Sequence, residues 1–261
     1  MLLQQSPLKL FFMTEANTIP AVLQLQQNII DWAVTNQSRA GYFAVLYKKM
    51  TLAVQTAMAN GVFENNQRME QLIIHFANYY LRAWHAHRQQ ELCCKAWRQV
   101  FAACDQTNLV VLQHLILGIN THINLDLAKA AEQTSPGDGI YDLQKDFEKI
   151  NDIIAALSQD VQTCLEKVWW PLKTLTDISN NRHKSVLNFS IDNARKASWA
   201  NAIALTLVAG ERKTYHLKCM EDMVIGLTNK IINPSGFTRL LLKPVIWMET
   251  KDVREVIRML K

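Results

Sequence analysis

Two residues able to do acid–base or metal chemistry, His122 and Asp126, stand four apart inside Leu109 to Ala131, the most apolar run of the chain. At about 100° per residue on a helix, Val111, Leu112, Leu115, Ile119, His122, Ile123 and Asp126 share a sector of roughly 120°, and that sector is the apolar one. The pair therefore stacks on one face among aliphatic neighbours. Burying an unpaired carboxylate costs several kcal/mol, so Asp126 needs a partner: a protonated His122, a divalent metal, or an arginine from another helix. Gly118, one turn earlier, gives up a side chain at a helix-propensity cost of about 1 kcal/mol relative to alanine, which makes room for a close approach.

Three kinds of function fit this arrangement. In the first, a divalent metal (Zn or Mn/Fe) sits on His122 and Asp126 with His114 or Asp146, lowers the pKa of bound water and hydrolyses an ester or phosphoester. His114 lies roughly 80° from His122 around the helix, so it joins only if a neighbouring helix supplies a ligand between them. Without a metal, His122 oriented by Asp126 would serve as a general base. Asp146, at the margin of the next apolar seam, is the second carboxylate expected near the pair. No Ser or Cys stands in a nucleophile context. In the second, the bundle holds a small apolar ligand oriented by a few polar groups, for which Arg39, Tyr47, Asn120 and Arg195 are candidates. Asp192 and Arg195 share a helix side, as an ordinary ion pair or as a clamp for an anionic group. In the third, the polar residues only fix packing in a helical interaction module. His85 and His87 are set aside, because side chains two apart on a helix diverge by about 200°.

The elements that must position these residues are helices. Apolar positions recur at three and four from Ala21 to Thr35, and again from Ala40 to Asn60, where Gly61 stops the helix. A third helix, capped by Asn65 or Asn66, runs to about Arg88, and a short fourth spans Glu91 to Cys104. The central helix covers about 107–131. Thr134 to Gly139 is the clearest loop, with lid or plain surface roles both open. Tyr141 to Trp170, one long helix or two joined near Ser158, carries the seam Leu143, Phe147, Ile150, Ile154, Leu157, Val161 and Leu165 and ends at Pro171, since proline disfavours helical geometry in the residue before it. After the polar connection Ser179 to Lys184 come helices over Val186 to Ala209, Lys213 to Ile232 and Phe237 to Trp247. A short basic tail helix bears Lys251, Arg254, Arg258 and Lys261, with a solvated face as its default reading.

Composition supports the same picture. The 261 residues include 8 Gly and 6 Pro, no Pro/Gly/Ser linker, and 49 % apolar residues, enough for a sizeable core. Strand-like alternation is absent. The expectation is an all-α fold: one helical domain, residues 20–261, of about eight to ten helices around the central apolar helix, preceded by a disordered arm over 1–19 in which Met13 is a second candidate start. Five cysteines, an odd number without metal-finger spacing, argue for a reducing cytoplasm rather than a secreted disulfide framework. A net charge of +5 permits an anionic ligand without demanding one. No window is apolar enough for a transmembrane span. The basic tail lacks interleaved aromatic residues, so there is no strong nucleic-acid signal. Oligomeric state is left open.

The words GYFAVLYKKMT (Gly41 to Thr51), RMEQLIIHFANYYLRA (Arg68 to Ala83), LQHLILGINTHINLDLAKAA (Leu112 to Ala131) and DLQKDFEKIN (Asp142 to Asn151) resemble a mainly bacterial, all-helical family of unknown function, domain-of-unknown-function family 5995, with an HLxLGxNxHINxDL signature. The resemblance covers most of the chain from about residue 30 onward and carries no activity with it. It implies that the matching Arg39, Tyr47, His114, Asn120, His122, Asp126 and Asp146 form one polar cluster. A looser similarity, to helical zinc-dependent phospholipases and nucleases, rests on the His-x-x-x-Asp pair alone; their further His/Asp motifs and N-terminal Trp ligand are missing.

Overall fold

A computed structural model of the protein describes residues 15–168 and 182–261. The regular elements among them are all helical: α1 (Ile19–Asn36), α2 (Ala40–Ala59), α3 (Asn66–Gln89), α4 (Lys95–Ala103), α5 (Val111–Thr121), α6 (Leu127–Thr134), α7 (Ile140–Val168), α8 (Arg182–Leu207), α9 (Gly210–Ile232), α10 (Gly236–Met248) and α11 (Val253–Leu260). A π-helical turn, His122–Asp126, joins α5 to α6 in one rod, so the described residues make ten helices. The fold is all-α, as the periodicity predicts.

The α5–α6 rod is central in fact as well as in hydropathy. Helices α2, α3, α4, α7, α8 and α9 all pack against it or its π-turn. Its two halves serve different cores. Val111, Leu115 and Leu117 join a cluster with residues of α1, α2, α3, α4 and α11, including Ile30, Phe43, Tyr80, Trp97 and Ile257. Leu125, Leu127, Ala128, Ala130 and Ala131 join a second cluster with Leu72, Leu143, Phe147, Leu205 and Val224. The run of alanines in α6 lets α3 and α8 come close to the rod.

Helix ends follow the local chemistry. Asn65 accepts a hydrogen bond from the Arg68 backbone N–H and starts α3, and Gly61, at φ +68°, closes the turn after α2. The start of α5 is capped from a distance: both carboxylate oxygens of buried Glu249 accept from the Val111 N–H, at 3.0 and 3.1 Å. Helix α4 begins at Lys95 rather than Glu91, and its Ala96 N–H donates to Glu221 of α9.

Some expectations need correction. Of the expected arm, Met1 to Thr14 lie outside the described residues, as do the Trp169-Trp170-Pro171 stop and positions 179–181 of the polar connection. Ala16, however, is buried, and its N–H and C=O exchange two 2.8 Å hydrogen bonds with the Asn78 amide, so ordered chain begins before α1. The tail helix is not merely a solvated basic face. Val253, Val256, Ile257 and Leu260 form a buried stripe on α11 at helical spacing. Its Ile257 lies so close to Gly41 of α2 that a Cβ there would come within 2.5 Å of it. Leu112, placed by the helical wheel on the apolar sector, is exposed.

Gly118 does mark a close approach. A Cβ at this position would strike the ring of Phe43, which is held in place by Tyr80, Trp97 and His122. Gly118→Ala gains up to about 1 kcal/mol of helix propensity and loses more to overpacking, about 1–3 kcal/mol. Urea unfolding is expected to show a less stable variant with an unchanged m-value.

Candidate functional site

The His122–Asp126 pair occupies the π-turn itself. The Leu127 N–H bonds to the His122 carbonyl, one residue further back than in an α-helix. Such turns are uncommon and recur at functional sites. The turn shifts the phase of α6 relative to α5, which a uniform 100° wheel does not anticipate.

Asp126 is 1 % exposed and fully engaged. Its Oδ2 accepts from the Trp97 indole N–H at 2.8 Å and from His122 Nδ1 at 3.2 Å, while Oδ1 meets the Lys129 ammonium at 3.3 Å. Burial pushes its pKa up, but Lys129, His122 and Trp97 outweigh that and hold it below the usual carboxylate range. The counter-charge is thus Lys129, whose ammonium also lies 3.9 Å from the Tyr79 ring centroid. Burial also lowers the pKa of His122, against the pull of Asp126. The imidazole is therefore neutral, with its proton on Nδ1 and Nε2 as the bare nitrogen. That Nε2 is buried and has no hydrogen-bond partner among the described residues, and the same holds for the Tyr47 hydroxyl. His122 lies flat on Phe76, with centroids 3.6 Å apart and 8° between planes, and edge-on to Tyr47 at 4.4 Å.

Beside this pair lies a cavity of about 130 Å³. It sits where the two cores meet, with Phe43, Tyr47, Phe76, Ile119, His122 and Ile123 on one side and Ile150, Ile154, Ile191 and Arg195 of α7 and α8 on another. Its walls are almost entirely carbon. Ile119 and Ile123 stay half-buried although they belong to the central rod.

The remaining candidates do not join one cluster. Half-buried Arg39 donates to the Cys104 carbonyl at 3.2 Å, and His114 packs against Tyr42, 5.9 Å between centroids. Asn120 turns to α9, donating to the Val224 carbonyl and the Thr228 hydroxyl, and accepts from Asn124. Asp146 serves the α2–α3 connection: it accepts from the Glu64 and Asn65 backbone N–H groups at 2.7 and 3.0 Å and pairs with Arg68 and Lys149. Among the described residues no three His, Cys, Asp or Glu side chains converge as a metal would require. The expected metal set of His114, His122 and Asp126 is therefore not assembled, and Asp146 is committed elsewhere. A helical wheel reports which face a residue occupies, not which neighbour covers that face. Arg195 is buried and lines the cavity. Its ordinary ion pair with Asp192 is not formed, since Asp192 bonds Lys196 at 2.7 Å. The Thr134 to Gly139 loop does not line the cavity.

Sequence reasoning missed Trp97 and Lys129 as the partners of Asp126. Lys129, three residues on, was within reach of the i,i+3 rule; Trp97 gives no local signal.

The model of the family of unknown function DUF5995 matches residues 19–234, a span that holds every residue lining the cavity and stops before α10 and α11. Neither curated proteins nor solved structures give a match. No helix among the described residues is long and apolar enough to cross a membrane.

His114 offers a test of the divided cluster. Both its ring nitrogens are buried without partners among the described residues, and burial, aided by Arg39, pushes its pKa down to about 4. The unfolded chain, titrating near 6.5, takes up this proton first, so the stability associated with neutral His114 is present above pH 6.5 and is lost as pH falls to about 4. His114→Leu removes that loss. The variant is expected to match the native protein at pH 7.5 and to gain on it by on the order of 3 kcal/mol by pH 4, read by urea unfolding across that range. Glu249, which burial pushes up to about 7, titrates in both proteins and cancels in the difference.

Proposed function

We propose, for a chain that belongs to the family of unknown function DUF5995, that its central cavity binds a small apolar molecule. The observation that carries this reading is the cavity's composition: aliphatic and aromatic walls with very little polar surface. Its volume of about 130 Å³ compares with the roughly 150 Å³ of an engineered apolar cavity that takes up benzene. The occupant that fits has about six carbons inside the wall. At about 0.8 kcal/mol per buried carbon, that supports a Kd on the order of 10⁻⁴ M.

The His122–Asp126 dyad favours a second reading, ester hydrolysis with His122 as general base. The carboxylate orients the ring and leaves Nε2 as the acceptor. The metal-assisted version lacks a third ligand among the described residues. The dyad version needs water at a nitrogen that is now buried and a substrate deep in the bundle. Binding asks less of the same geometry.

Toluene provides the test. At ten times its Kd it is expected to stabilise the native protein by about 1.4 kcal/mol, seen as a rise in Tm, and Ile123→Trp, which fills the cavity, is expected to abolish the effect. An equal rise in the variant, or none in the native protein, overturns the binding reading. Turnover of p-nitrophenyl acetate that His122→Gln eliminates would instead support the hydrolytic one.

A further inference from the structure

Among the described residues the cavity wall carries one charged side chain, Arg195, and it is 4 % exposed. Its Nε donates to the Asn151 side-chain oxygen and its Nη2 to the Phe147 carbonyl, both at 2.5 Å, and the guanidinium carbon stands 4.3 Å from the Phe147 ring centroid. These neighbours fix the plane of the guanidinium, yet each is formally neutral. Among the described residues no carboxylate lies within ion-pair distance of it, and nothing accepts from Nη1. The one acid nearby on its own helix, Asp192, bonds Lys196 and acts on Arg195 only through its field, without an ion pair. Among the described residues two other buried charges are matched by ion pairs, Asp126 by Lys129, and Asp146 by Arg68 and Lys149, whereas buried Glu249 caps the Val111 N–H. A buried cation without a counter-ion is costly, and the cost falls when an anion arrives.

We infer that the occupant of the cavity is an amphipathic monocarboxylate, a short apolar chain or ring whose single carboxylate seats on Arg195. This rests on the reading of the cavity as a ligand site. One cation on an otherwise carbon-lined wall, with His122 neutral, matches a single negative charge joined to an apolar body. A guanidinium presents its donors in a planar fork that suits a carboxylate. The Nε and Nη2 contacts hold Arg195 to α7, so the charge is presented from the α7–α8 side while the aliphatic residues of α2, α3 and the central rod receive the apolar body.

Hexanoate, 1-hexanol and hexylammonium share a six-carbon body and differ in head-group charge. Titrated calorimetrically into the full-length protein at constant ionic strength, hexanoate is expected to bind at least tenfold more tightly than 1-hexanol, and hexylammonium more weakly than either. R195Q is expected to bring hexanoate down to the affinity of 1-hexanol, and R195K to keep part of the preference. If 1-hexanol binds as well as hexanoate, the carboxylate assignment fails while the apolar cavity stands. If none of the three binds, both fail. Should R195Q not fold, the charge series on the native protein decides the matter alone.

Discussion

A carboxylate sealed among aromatic rings has to be satisfied atom by atom, and in this protein Asp126 sets that condition for everything around it. Trp97 reaches it from α4, His122 from the preceding turn, and Lys129 from the following one. Meeting all three constrains where α4 lies against the rod and which nitrogen of His122 is protonated. It also accompanies the π-turn, which brings His122 and Asp126 together within the rod. Phe43, Tyr47, Phe76 and Tyr80 then close around the imidazole, and Gly118 is the gap that admits Phe43.

The cavity is a product of the same geometry. The rod feeds its first half to one core and its second half to another, and the phase change between them leaves their boundary incompletely filled. At about 24 cal/mol per Å³, a cavity of this volume forgoes about 3 kcal/mol of packing.

Polar residues that looked alike in sequence do different work. Asp146 and Glu249 both satisfy backbone N–H groups across long sequence separations, Asp146 at the entrance to α3 and Glu249 at the start of α5. Asn120 ties the rod to α9 through a carbonyl and a hydroxyl. Arg39 secures the end of α4 through the Cys104 carbonyl. Each of these meets a donor or acceptor need that burial creates, and none requires a ligand. Tyr47, His122 and Arg195 differ in that part of their hydrogen-bonding capacity is left over among the described residues.

Much of the architecture was legible from residue order alone, because helix periodicity, Asn65 and Gly61 at helix ends, and the apolarity of 109–131 are local properties read by neighbours three or four positions away. The stacking of His122 on Asp126 and the close approach at Gly118 belong to this class. The partners of those residues do not: Trp97 and Phe43 arrive from separate helices, and no spacing rule connects them to residue 122. The α11 stripe of Val253, Val256, Ile257 and Leu260 was present in the letters but outweighed by the basic residues between them. Which polar groups share a site was decided only by tertiary packing, since a helix fixes the direction of a side chain about its own axis while the choice of neighbour depends on how all the helices pack together.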